Sequence, residues 1–248
     1  MRMLDLKLLR DIRGMKGQMT AIALVMACGL TLMIMSRGLL LSLETTKNSY
    51  YTESRFADLF CDLKRAPLFL EPALAMIDGV AQVETSVRGA IILDIPGMKE
   101  PADGFVHSLP EGRPRRLNRI HLRSGRLPEA GNRDEILVSD SFAKAHGFRP
   151  GDTIDATVYG VRRSFRICGV AISPEYVYEI RPGGMMPDPE RFGVFWMSER
   201  ELSRALGLEG AFNSVAFRLA PGADAGMVKA DIDRLLEPYG GLSAYDRE

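Results

Sequence analysis

Residues 17–36 read GQMTAIALVMACGLTLMIMS, twenty residues without a formal charge. As a helix rising about 1.5 Å per residue, this run spans ~30 Å, the thickness of a bilayer's hydrocarbon core. Arg37 closes it, and a second apolar stretch, Gly38 to Leu43, follows. A charge at the bilayer centre costs about 2.5–3.5 kcal/mol on insertion scales. At the end of the run, Arg37 reaches the headgroups on its long stem at much lower cost. The sequence therefore predicts one transmembrane helix over residues 17–43, continuing past the membrane through Leu39, Leu43 and Lys47 as a stalk.

Flanking charge sets the direction. Residues 1–16 carry Arg2, Lys7, Arg10, Arg13 and Lys16, whereas Arg37 to Thr52 carry only Arg37 and Lys47. The basic flank stays in the cytoplasm. Residues 44–248 are then exported, which in a bacterium means an inner-membrane protein with a periplasmic or outer-face domain. Leu4, Leu8 and Ile12 share one helical face, with Leu9 beside them, so residues 1–16 suit a short interfacial helix. A disordered tail is the alternative. A cleaved signal peptide has a shorter apolar core and a small-x-small exit; this run is longer and ends in Met-Ser-Arg. Val25-Met26-Ala27-Cys28 loosely matches a lipid-attachment site, which keeps a lipoprotein open as a reading. Apolar sequence continues to Leu43, however, and Cys28 then reads as a small apolar helix residue.

The chain has 248 residues, with 32 basic side chains against 32 acidic ones. That length suffices for one large domain or two small ones. The charge balance gives no sign of a nucleic-acid binder. His107, His121 and His146 have no metal-ligand spacing and read as surface or half-buried loop residues. Cys28, Cys61 and Cys168 show no C-x-x-C pair. Cys61 and Cys168 fall on expected strands, either as a disulfide in an oxidising compartment or as two buried free thiols.

From Phe56 onward short strands and helices alternate. ADLFCDL (57–63) reads as a strand, Pro67 opens a helix to about Ile77, and Asp78-Gly79 ends it. VAQVETSVRGAIILDI (80–95) reads as a long strand or a bent pair, completing a β-α-β unit. Residues 97–133 are rich in Gly, Pro and Arg and read mostly as loop. EILVSD (135–140) reads as a buried strand, Ser141–His146 as a short helix and Arg149-Pro150-Gly151-Asp152 as a turn. TIDATVY (153–159) and SFRICGVAI (164–172) read as a hairpin about Gly160. NSVAFRL (213–219) is a strand. A helix from about Ala225 to Leu236 follows, with Met227, Val228, Ile232, Leu235 and Leu236 as its apolar positions. The class is α+β: an α/β part over about 55–96 and 193–248, with a β-rich part inserted over about 97–192.

No phosphate-binding Gly-x-x-x-x-Gly-Lys-Ser/Thr loop, Gly-x-Ser-x-Gly elbow or His-Glu-x-x-His helix occurs. Glu175 and Glu179, near Tyr176 and Tyr178, make a weak catalytic pair and read better as loop or strand-end residues. The arginines of residues 113–126 form either an anion patch or solvated loop charge. No catalytic residue, cofactor or metal ligand is expected.

The residues also resemble a known family, the FtsX-like permeases of ABC transporters with a MacB-like periplasmic core domain. The resemblance runs through LKLLRDIRGMKGQ (6–18), YYTESRFADLFCDLKRAP (50–67) and SGRLPEAGNRDEILVSDSFAKAHGFRPGDTI (124–154). It continues through GVAISPEYVYEIRPGGMMPDPERFGVFWM (169–197) and LLEPYGGLSAYDRE (235–248). SPEYVYEIRPG and RFGVFWM are its most specific pieces. The resemblance implies a cytoplasmic ABC ATPase as partner, a second permease half and a surrounding bilayer. It also allows a periplasmic partner protein. ATP hydrolysis in the partner would move the periplasmic domain, for export, lipoprotein release or activation of periplasmic enzymes. Family members continue into three more spans, so this sequence resembles the N-terminal part of a permease. The other reading is a single-span anchored periplasmic adaptor or binding protein that moves no substrate.

Overall fold

The computed structural model describes residues 15–246. The interfacial segment read over residues 1–16 lies outside the described residues but for its last two. The chain divides into two compact units, one ending at Tyr50 and the other starting at Tyr51.

The first unit is one helix, α1 (Lys16–Glu53), whose last three residues count with the second unit. It runs unbroken through Cys28 and Arg37 for 38 residues, roughly 57 Å at the α-helical rise. Leu24, Val25, Leu32 and Ile34 are all exposed. Over 17–36 the helix carries no charge, and among the described residues none covers it; such an apolar surface suits lipid as its solvent. The hydroxyls of Thr20 and Thr31 donate to the carbonyls of Lys16 and Ala27, four residues back. These bonds remove polar groups that hydrocarbon could not satisfy. Among the described residues this is the one helix long and apolar enough to cross a membrane.

The second unit holds two sheets. The smaller contains β1 (Leu59–Pro67), β2 (Val80–Ser86), β10 (Ala211–Leu219) and β11 (Tyr245–Asp246), in the order β11-β1-β10-β2 and antiparallel throughout. α2 (Glu71–Ala75) and α5 (Ala225–Leu236) pack on one face of it. Leu59, Cys61, Val215 and Phe217 from the strands meet Leu74, Val228, Ile232 and Leu236 from the helices. The spacing 228, 232, 236 puts one stripe of α5 inward. Asp224 caps α5 by accepting from the Gly226 and Met227 amides, which stabilises such a helix by about 1 kcal/mol.

The larger sheet contains β3 (Arg88–Asp94), β4 (Ala102–Leu109), β5 (His121–Gly125), β6 (Glu135–Ser139), β7 (Thr153–Val158), β8 (Val161–Ile172) and β9 (Phe192–Ser198). Its order is β5-β8-β6-β9-β4-β3-β7, and β7 also pairs with β8. The six strands β3, β4, β9, β6, β8 and β7 therefore close into a barrel, which removes their free edges. β4–β9 and β6–β8 are parallel. Alternation along β9 feeds two cores. Phe195 and Met197 join Ile91, Val106 and Ile136, whereas Phe192, Val194 and Trp196 join Leu109 and Leu137. α3 (Asp140–His146) contributes Phe142 and α4 (Glu199–Leu206) contributes Leu202 to the first of these cores.

Of the two readings of 80–95 the pair is the one found, two strands in two sheets divided at Val87. Other expectations change. β3 and β9, read with the α/β part, belong by hydrogen bonding to the barrel. The region read as mostly loop over 97–133 contains β4 and β5. The helix after Pro67 is a 3₁₀ turn, Leu68–Leu70, followed by the five residues of α2. Met227 points to solvent instead of the core.

Candidate functional site

The two sheets meet where β2 passes into β3. Ser108 clamps the crossing: its Oγ accepts from the Val87 amide at 2.9 Å and its amide donates to the Val87 carbonyl at 2.8 Å. Asn213 of β10 bonds both the amide and the carbonyl of Arg88, each at 2.8 Å. Backbone groups that leave one sheet for the other are thus satisfied by side chains.

Arg88 extends from this crossing into a polar cluster. Its Nη1 lies 3.2 Å from Asp62 Oδ2 on β1, and its guanidinium sits 3.9 Å above the Phe105 ring of β4. Tyr245 Oη donates to the same Asp62 oxygen at 3.3 Å. Below, His107 Nε2 is 2.7 Å from Tyr176 Oη. Tyr176 belongs to a 3₁₀ turn, Pro174–Tyr176, whose Ser173 cap accepts from the Glu175 amide. Glu175 receives Arg115 Nη1 at 3.2 Å and Asn118 Nδ2 at 2.9 Å. Asn118 Oδ1 in turn accepts from the Ala57 amide at 2.8 Å. A cavity of about 280 Å³ lies among Phe60, Arg88, His107, Tyr176 and Tyr245.

Burial governs the protonation of this cluster. Burial, then the charges of Arg88 and Arg115, hold the His107 pKa well below the ordinary histidine value. Burial pushes the Tyr176 phenol up strongly, and the Tyr245 phenol to about 12. Neutral His107 and Tyr176 form a hydrogen bond that offers no ready proton donor at neutral pH. The arrangement ties β1, β3, β4 and the 173–176 turn together; it lacks an activated nucleophile with a base.

A second cavity, of about 630 Å³, lies beside the segment 109–130. Leu109, Ile120, Leu122, Leu127, Pro128 and Ala130 are among the apolar residues of its wall. Arginines of the same segment strap it to the rest of the unit. Arg113 Nη1 reaches Glu84 at 3.0 Å, the Arg116 amide reaches the other Glu84 oxygen at 2.7 Å, and Arg116 Nη1 reaches Glu71 at 2.7 Å. Arg126 pairs with Glu135. Carboxylates from other elements thus neutralise Arg113, Arg115, Arg116 and Arg126, whereas Arg119 forms no ion pair among the described residues. The partners of Arg113, Arg115 and Arg116 lie 29 to 60 residues away, beyond what spacing shows.

The other residues singled out from sequence separate. Glu175 binds Arg115 and Asn118, whereas Glu179 accepts from Ser139 Oγ at 2.8 Å. Burial raises the Glu179 pKa, but the two glutamates serve different neighbours. His107 is fully buried on β4 instead of lying in a loop. His121 Nε2 meets Ser54 Oγ at 3.0 Å, and His146 Nε2 meets the Glu190 carbonyl at 2.9 Å. Cys61 and Cys168 are free thiols in separate sheets, directed at the carbonyls of Leu242 and Ile136. Among the described residues no group of three His, Cys, Asp or Glu side chains could hold a metal. Sequence reasoning missed Asp62, Arg88 and Asn118, which carry no motif of their own.

An apolar helix long enough to cross a membrane is followed in the chain by a folded head, an α/β layer and a closed β barrel. The profile of the MacB-like periplasmic core domain matches residues 19–235, helix and head together. The chain belongs to that family, whose members are parts of ABC transporter permeases. Two solved structures are similar. One is the extracellular domain of the ABC-type transporter YknZ from Gram-positive bacteria, 14% identical. The alignment covers 75% of this chain and 97% of that one, with a TM-score of 0.47. The other is the periplasmic region of MacB from Actinobacillus actinomycetemcomitans, 10% identical. It covers 79% of this chain and 92% of that one, with a TM-score of 0.46. No curated protein matches the chain.

Proposed function

We propose that this chain is the first span and the extracytoplasmic domain of an ABC permease, and that it carries ATP-driven movement outward from the membrane. The observation behind this reading is the unbroken length of α1. Its 38 residues exceed the ~20 that cross a hydrocarbon core. The remainder is a helical rod leading into the head. A continuous helix resists bending far better than a coil does, so a displacement at the membrane can be passed along it. The five basic residues before the span, against two after it, favour a cytoplasmic N-terminus. The head then lies in the periplasm or on the outer face. A cytoplasmic ATPase supplies the work, as membership of an ABC permease family implies. A second permease half completes the assembly. Export, lipoprotein release and activation of a periplasmic enzyme are the outputs such movement serves.

The test is a flexible Gly-Ser insertion after Lys47, made in the assembled transporter with its ATPase. ATP hydrolysis is expected to persist while the transport or signalling output is lost. Unchanged coupling would contradict the rod and favour an anchored adaptor that moves no substrate.

A further inference from the structure

We infer that the 630 Å³ cavity beside segment 109–130 binds a single-chain anionic amphiphile, one acyl chain ending in a carboxylate or a phosphate. This reading is independent of coupling to ATP. The volume falls within the ~300–1,000 Å³ of small-molecule sites, whose walls are mostly apolar with a few polar groups. Most polar groups in this wall already have partners inside the protein. Glu111 accepts from Ser198 Oγ and lies 3.7 Å from Arg200. Arg113 pairs with Glu84, Arg115 with Glu175, and His121 with Ser54. A sugar or peptide entering here would lose hydrogen bonds to water with few replacements.

Arg119 differs. Its Nε donates to the Arg115 carbonyl at 3.2 Å. Among the described residues no carboxylate forms an ion pair with it. A half-buried guanidinium in an apolar wall suits a carboxylate or phosphate, which its planar fork can bind through two hydrogen bonds. The chain of the ligand would then lie against Leu122, Leu127 and Ala130. The wall carrying Arg119 is also fixed to the residues that directly follow α1. The Arg119 amide donates to the Ser54 carbonyl at 2.8 Å and the Asn118 amide to the Arg55 carbonyl at 3.0 Å. The site is thus built on the chain's exit from the helix whose surface suits lipid.

The molecule contains its own probe. Trp196 is the single tryptophan and packs in the same apolar cluster as Leu109 and Ile120 of the cavity wall. The experiment places the full chain in saturated phosphatidylcholine nanodiscs and titrates dibrominated stearate, reading quenching of Trp196. Saturable quenching is expected. Arg119→Gln should weaken it about tenfold, the effect of one charge-assisted contact. Arg119→Lys should retain most of it, and Ala130→Phe should reduce it by filling the cavity. Dibrominated stearyl alcohol, with no charge, should quench as weakly as stearate does in the Arg119→Gln protein. A brominated lysophosphatidate arm, compared with stearate, tells which anionic head is preferred. An unchanged near-ultraviolet dichroism spectrum shows that each variant is folded. No quenching by either anion, equal quenching by acid and alcohol, or equal affinity in Arg119→Gln would overturn the inference. Equal quenching by brominated phosphatidylcholine in the disc would do so too.

Discussion

At the residue scale, the head depends on buried polar groups that keep their partners. The Arg115 side chain is 5% exposed and that of Glu175 15%. Removing one member of such a pair leaves the other charged and desolvated. Arg115→Ala should therefore lower unfolding stability by about 3 kcal/mol in thermal or urea denaturation. The double replacement Arg115→Met with Glu175→Leu should recover most of that loss; a full, undiminished loss would contradict this account of the pair. His107 gives a pH signature. It is buried neutral, so the folded state resists a proton that the unfolded chain accepts near its ordinary value of 6.5. Stability from this residue is complete above that value and declines as pH falls below it. Glu179 acts with the opposite sign, because its raised pKa makes the folded state the better proton acceptor. Comparing wild type with His107→Gln subtracts that contribution. The variant should lose the part of the slope below pH 6.5; identical slopes would refute the assignment. Burial pushes the Cys61 and Cys168 thiols to about 12 and about 11. A maleimide should modify them only after denaturation, and mass spectrometry of native and denatured samples checks this. Such residues are poorly legible in sequence. His107 looks like any lone histidine, and Arg115 looks like surface charge until Glu175, sixty positions on, is brought to it.

At the element scale, legibility followed the strength of the local pattern. EILVS over 135–139 is buried at every position, and its short apolar run announces a strand covered on both faces. The helix over 225–236 shows Val228, Ile232 and Leu236 of its buried stripe in the sequence. β4, in contrast, lies in a stretch punctuated by Gly97, Pro101, Gly104 and Pro110, which resembles a loop. Gly104 is there for a packing reason. It pairs with Gly193 of β9, and a Cβ on it would come within 2.0 Å of the Gly193 carbonyl oxygen. A Cβ on Gly193 would meet the Phe142 ring at 2.6 Å. The two glycines let the parallel strands and α3 approach closely. Gly104→Ala should cost about 1–3 kcal/mol or more, as overpacking does. Thermal denaturation measures this, and a neutral effect would show that β4 and β9 can shift apart without penalty.

At the scale of the whole molecule, the membrane helix and the mixed α/β class were readable from composition and periodicity, because both are local properties. The barrel was not. Its closure depends on β7 pairing with both β3 and β8, and pairing between distant strands leaves no mark on either strand alone. The same limit explains why the run 80–95 left a long strand and a bent pair both open: nothing in its alternation tells that Val80–Ser86 bonds β10 while Arg88–Asp94 bonds β4 and β7.

The central claim is that α1 crosses the membrane and presents the head outside the cytoplasm. Met185, which is 95% exposed in the head, offers the direct test. A Met185→Cys variant with Cys28 replaced by Ser leaves only buried native thiols, Cys61 and Cys168. Intact cells or spheroplasts are treated with a membrane-impermeant maleimide. The account predicts labelling of Cys-substituted position 185 without lysis. Labelling that appears only after the membrane is opened would place the head in the cytoplasm and contradict it.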